Sequence, residues 1–221
     1  MSDIDLQALR AVDERLVERY STRLSKFGDD PRTLGWDKRE SQQARFGVAL
    51  SMMDFSGKRV LDVGCGLADF LSFLQERGQV PASYTGCDIN PDLLARCAER
   101  FPECKFHQAN LLKDEVPGGP YDIVVLFGVV NFRFTEFSNE DFARQMIARA
   151  FDTCSEAVVI DMLTAVHDTA YPVEGFVYYY DPAEMLRFAF SVTPHVALRH
   201  DYASIPQREM MLLLRKGPGH D

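Results

Sequence analysis

The chain has 221 residues, 46% of them hydrophobic and 26% charged, with a net charge of -9 and a mean hydropathy of -0.17. These values suit one globular domain with a sizeable core, with or without an appendage. They argue against nucleic acid and against an anionic membrane surface, because 24 scattered basic residues face 33 acidic ones. A small neutral or cationic partner is expected instead.

Cys65, Cys87, Cys97, Cys104 and Cys154 make an odd set without a CxxC pair, which reads as reduced, buried thiols. No cluster has metal-ligand spacing, so no metal is expected. The N-terminus, MSDIDLQALRAVDERL, is acidic rather than a signal peptide, and no apolar run is long enough for a bilayer. The cytoplasm is the expected location.

Along the chain, Leu6, Leu9, Val12, Leu16, Tyr20 and Leu24 recur at helical spacing and predict an amphipathic helix to about Lys26. Turn formers in GDDPRTLGWD break it, and a second helix is expected from about Glu40 to Met53. Strand and helix then alternate. KRVLDVG (58–64), SYTGCDI (83–89), KFHQANL (105–111), YDIVVLFGVV (121–130) and AVVIDML (157–163) read as strands, with helices at 67–78, from Asn90, and at 139–151. This spacing predicts a parallel sheet with right-handed crossovers. HVALRHDY (195–202) and REMMLLLRK (208–216) predict a closing antiparallel hairpin. The expected fold is therefore α/β, a Rossmann-like, doubly wound, mostly parallel sheet. It carries a C-terminal hairpin and an N-terminal helical lid, with the lid over residues 1–56 and the sheet domain over 57–221.

The informative stretch is VLDVGCGLADF, residues 60–70. Asp62 ends a strand, and Gly64 and Gly66 open a tight turn into a helix. The glycines let backbone approach a ligand closely, and the helix start offers unpaired N–H groups. Asp62 can meet a cationic amine; a pyrophosphate would not want it there. Asp88 ends the next strand, where an acidic residue reaches ribose hydroxyls, with Ile89 beside it. Asn110, followed by Leu111, ends the third strand and offers a carbonyl to an adenine amino group. Phe127 and Gly128 end the fourth. Together these strand ends describe a crevice for a nucleotide with an amino-acid tail.

On these residues the chain resembles the class I S-adenosylmethionine (SAM)-dependent methyltransferases, from about Lys58 to Lys216. Asp62, Gly64 and Gly66 match that family's first motif, Asp88 its ribose-binding acid, Asn110 and Leu111 its adenine position, and YDIVVLFG its fourth motif. Ala68 replaces a frequent third glycine, and Asn110 a common Asp. The resemblance implies SAM as cofactor and a lid over its methionine end, to which Trp36, Gln43 and Arg45 are assigned. Arg45 would fork onto the SAM carboxylate; the alternative is a solvated helix face, with Trp36 filling a packing gap.

Over the reacting carbon, Asn131, Tyr178 and Tyr180 are the candidate catalytic residues, and Phe134, Tyr179 and Ser204 the candidate substrate contacts. The rings suit a sulfonium cage, although core packing explains such rings equally well. His167, His195 and His200 are possible bases. The leading function is methyl transfer to a small molecule. A SAM cyclase, forming azetidine-2-carboxylate and methylthioadenosine, and a non-catalytic SAM-binding protein remain open. The oligomeric state is not legible.

Overall fold

The computed structural model describes residues 4–166, 173–202 and 208–217. A seven-stranded sheet runs in the order β3-β2-β1-β4-β5-β7-β6. Its strands are β1 (Arg59–Val63), β2 (Ser83–Asp88), β3 (Lys105–Gln108), β4 (Tyr121–Leu126), β5 (Cys154–Leu163), β6 (Val196–Arg199) and β7 (Glu209–Arg215). The first five pair in parallel; β7 pairs antiparallel with both β5 and β6. The hairpin expected at the C-terminus is present, but β7 enters between β5 and β6 rather than adding at the edge.

Strand alternation divides the core in two. Leu61, Val63, Val124, Leu126, Val158 and Ile160 face one side, with α5 (Asn139–Thr153) and α6 (Pro182–Val192). Val60, Ile123, Val125 and Val159 face the other, with α3 (Asp69–Glu76) and α4 (Pro91–Arg100). Strands covered on both faces are apolar throughout, as β4 and β5 are. The sequence reading missed α6, although Asp181 caps it through the N–H groups of Ala183 and Glu184, and Pro182 occupies its first turn.

The N-terminal helices are α1 (Leu6–Phe27) and α2 (Arg39–Met52), joined by a 3-10 turn at Pro31–Leu34. Helix α1 buries Leu9 and Val12 in the first cluster, and α2 buries Phe46 and Ala49 in the second. Both therefore pack as part of the core. Sequential helices change sides between β1 and β4, and this switch point opens a crevice at the carboxyl ends of those strands.

Candidate active site

A cavity of about 790 Å³ occupies this crevice, roofed by α1 and the start of α2. Its floor is the turn after β1. Gly64 and Gly66 have φ of 68° and 57°, in the left-handed region where a side chain is strained. A Cβ on Gly64 would lie 2.7 Å from Val129 Cγ2, and one on Gly66 2.8 Å from Leu34 Cδ1. Ala68 is also left-handed, at φ 55°. The third glycine's absence is thus a backbone departure as well as a packing one.

Asp88 accepts the Gly66 N–H at 3.0 Å on Oδ2 and the Asn90 N–H at 2.9 Å on Oδ1. These bonds orient its carboxylate and leave lone pairs for a diol. Burial pushes its pKa up to about 6, the backbone N–H bonds opposing the rise. Asp62 is 2% exposed and accepts the Tyr84 hydroxyl. Burial raises it to about 7, with the neighbouring Asp88 and Asp69 carboxylates adding to the rise against the Tyr84 bond. Among the described residues neither acid has a cationic partner, so each is suited to receive one. Tyr20, on α1, also faces the cavity; burial and the Asp88 charge raise its hydroxyl to about 12.

A second acidic group lies beneath the far wall. Arg45, Asp161 and Glu209 are each 0% exposed. Arg45 Nη1 donates to Asp161 Oδ2 at 2.9 Å and Nη2 donates to Glu209 Oε1. Its guanidinium carbon lies 3.6 Å from the centre of the Trp36 ring. Asp161 Oδ1 also accepts the Gly128 N–H at 2.6 Å, and Asn131 Nδ2 lies 3.4 Å from Asp161 Oδ2. The fork expected to grip a ligand carboxylate is therefore occupied by protein carboxylates, and Trp36 stacks on it. Arg45 still borders the cavity, and its buried Nε has no hydrogen-bond partner.

Other assigned residues separate cleanly. Asp62, Gly64, Gly66, Asp88, Ile89, Asn110, Leu111, Phe127 and Gly128 are all brought to the cavity wall. Gln43 is not: its amide reaches Glu76 at 3.3 Å on the outer face of α2. One position earlier, Gln42 lines the cavity and donates to Asp69 at 3.1 Å. Helical spacing turns adjacent residues about a quarter-turn apart, which is why the sequence alone mistook one for the other.

Asn131 and Phe134 line the cavity, but the tyrosines do not. After a turn at Gly175 and Phe176, segment 177–180 runs extended: the Tyr178 N–H bonds Asn131 O at 2.9 Å, and the Tyr180 N–H bonds Leu163 O at 2.8 Å. Alternate side chains consequently take opposite faces. Tyr178 and Tyr180 pack edge to face, their centroids 4.8 Å apart, and the Tyr180 hydroxyl donates to Val130 O at 2.8 Å. Burial raises the Tyr180 hydroxyl far above its ordinary value. Tyr179 accepts the Glu174 N–H at 3.1 Å. The proposed tyrosine cage is replaced by Phe176 and Val177, which do border the cavity. His195 and His200 are not among its lining residues, and Ser204 and His167 lie outside the described residues.

Sequence reasoning also passed over Asp13, Asp161 and Glu209. An acid inside the apolar run AVVIDML, and another before MMLLLR, were the available signals. The residues present fit a nucleotide bearing an amino-acid tail: a close-approach glycine turn, an acid for a diol and an unpaired acid for an amine. Among the described residues, no group of three or more His, Cys, Asp and Glu gathers as metal ligands would, and no helix is long and apolar enough to cross a membrane.

The family model described as a methyltransferase domain matches residues 60–151. The chain is 35% identical over 103 residues to a fatty-acid O-methyltransferase of Mycolicibacterium smegmatis, covering 39% of this chain and 37% of that protein. It is 34% identical over 77 residues to a phthiotriol/phenolphthiotriol dimycocerosates methyltransferase of Mycobacterium leprae, covering 34% and 28%. The matches thus span well under half of these relatives. Among solved structures, magnesium protoporphyrin IX methyltransferase from Synechocystis with bound SAM superposes with a TM-score of 0.63 at 14% identity, over 98% of this chain and 100% of that one. The CcbJ methyltransferase of Streptomyces caelestis gives 0.61 at 14%, over 88% and 96%. At such identity these two establish a shared fold.

Proposed function

We propose that this chain, matched over residues 60–151 by a methyltransferase-domain family model, is a class I SAM-dependent methyltransferase that moves a methyl group from SAM to a small, largely apolar acceptor. The observation that carries the reading is the cavity itself. Its floor holds Asp62 and Asp88 beside a glycine turn, and its roof mixes the apolar Leu9, Val12 and Leu16 with the polar Asp13, Arg19 and Arg23 of α1. In this reading Asp88 holds the ribose diol and Asp62 the amine of the methionine tail. Ile89 and Leu111 border the base, and Phe127 and Gly128 line the crevice between tail and base.

SAM supplies an electrophilic methyl on a sulfonium; the chain's tasks are alignment and exclusion of water. Leu16, Phe132, Phe134, Phe142, Met146 and Phe176 line part of the remaining space and supply its apolar surface. They favour an acceptor with a hydrocarbon or aromatic body, a class consistent with the lipid substrates in the mycobacterial relatives' names. Residues 1–56 act as the lid over this chamber, with α1 as its principal piece.

The test is product identity by mass spectrometry. Incubation with SAM and a panel of fatty acids, phenols and amines is expected to give S-adenosylhomocysteine only when an acceptor is present. Methylthioadenosine released from SAM alone, above the uncatalysed rate, would sink this reading and leave cyclisation in its place.

A further inference from the structure

At the end of β3 the acceptor expected from Asn110 is turned into its own loop. Asn110 Oδ1 takes the N–H of Leu112 at 3.1 Å. Its amide nitrogen instead donates, at 2.9 and 3.2 Å, to the two oxygens of Asp13 on α1. Asp13 belongs to the series Leu9, Val12, Asp13, Leu16, which occupies one face of the helix and lines the cavity. A carboxylate flanked by Leu9, Val12 and Leu16 calls for a partner. Lys113 Nζ supplies one at 2.8 Å from Oδ2. A carboxylate accepts about four hydrogen bonds, and among the described residues Oδ1 carries the one from Asn110.

We infer that Asp13 reads the exocyclic amine of the cofactor's base, with Asn110 and Lys113 as positioning residues. The inference rests on the proposed SAM reading. Leu9 and Val12 on the helix of Asp13, Leu111 next to Asn110, and Ile89 also line the cavity, and such apolar side chains suit a flat ring. The amine is a donor, and the Asp13 side chain offers an acceptor oxygen on the cavity wall. Helix α1 is tied down further along: Asn90 Nδ2 donates to Val17 O at 3.0 Å, and Ser21 Oγ donates to Asp92 Oδ2 at 2.6 Å. Seating of the lid and recognition of the base are thereby one event. A base with a 6-oxo group would set a carbonyl against the Asp13 carboxylate.

The experiment compares, by calorimetry, S-adenosylhomocysteine with its 6-oxo analogue S-inosylhomocysteine. The wild-type chain is expected to prefer the adenine form about tenfold or more. Asp13→Asn, whose amide can donate to a 6-oxo group, is expected to lose about tenfold in S-adenosylhomocysteine affinity and to bring the ratio close to one. Ser21→Ala loosens α1 without touching Asp13; it should weaken both ligands equally and keep the wild-type ratio. Equal wild-type affinity for the two ligands overturns the assignment and needs no variant. So does an unchanged ratio in Asp13→Asn. Wild-type protein that binds neither ligand overturns the SAM reading itself, and this assignment with it.

Discussion

Two groups of buried acids flank the turn at Gly128, and they behave in opposite ways. Asp62 and Asp88 meet only a hydroxyl and backbone N–H donors, and burial raises their pKa values to about 7 and about 6. Asp161 and Glu209 share the Arg45 guanidinium in a fully buried arrangement. Residue type does not distinguish the groups; the presence of a cation does. Carboxylates with an internal cation hold β5 and β7 to α2, whereas carboxylates without one are suited to bind a ligand that brings its own positive charge or donors.

The largest effect that sharpens this contrast comes from Arg45→Met. It leaves two buried carboxylates without their cation, and removing one partner of a buried pair costs about 3–5 kcal/mol. For a chain of this size the melting temperature is expected to fall by roughly 10 °C. If the variant keeps its melting temperature and loses only SAM affinity, the contrast breaks, and Arg45 grips the ligand after all.

Asp88→Ala should act on the other side of the divide. Loss of hydrogen bonds to a charged group is expected to weaken SAM binding by about 1.5–3 kcal/mol, on the order of tenfold to a hundredfold. The melting temperature should stay close to wild type, because no cation is stranded. Calorimetry and a thermal melt on the same sample separate the two outcomes.

The pH response is the next largest. A cationic amine pairs with Asp62 only when the acid is ionised, so below its pKa of about 7 a proton must leave first. SAM affinity is expected to fall towards tenfold per pH unit below 7 and to level off above it, with Asp88 adding a second fall below about 6. Asp62→Asn should bind more weakly and lose the step near 7. The same raised pKa makes native Asp62 hold its proton where the unfolded chain has lost it. Stability should therefore decline as pH rises from about 4 to 7, and Asp62→Asn should leave only the part due to Asp88, which ends near pH 6. A wild-type affinity flat between pH 6 and 8 would place the amine elsewhere.

The smallest expected effect tests the loop that carries the first group. Ala68 holds a left-handed conformation, which strains a residue with a Cβ by about 1–2 kcal/mol. Ala68→Gly relieves that strain against a larger loss of chain entropy, and a net gain below about 1 kcal/mol is expected in denaturant unfolding. A destabilised variant would mean that the Ala68 methyl's packing outweighs the strain.

Much of the binding half was legible before any coordinates. Period-two apolar runs mark strands, turn formers mark their ends, and ligands gather at strand ends; these are local rules. They bring Asp62, Gly64, Gly66 and Asp88 together at strand ends, and all four line the cavity. The roof was not legible in the same way. Gln43 and Gln42 differ by one helical step, and only the packing of α2 says which faces inward. The tyrosines of GFVYYYDP read as a cage, yet extended pairing with residues 131–133 turns Tyr178 and Tyr180 into the core.

What the sequence alone determined is the order of strands and helices, the glycine turn and the acids at the strand ends, because each depends on neighbours within a few positions. Only the tertiary structure decided which charges are paired. Arg45 meets Asp161 across 116 positions and Glu209 across 164, and Asp13 meets Asn110 across 97. Whether a carboxylate holds the fold or faces a ligand depends on which distant cation the folded chain brings beside it. Coulomb attraction and desolvation act through space rather than along the chain.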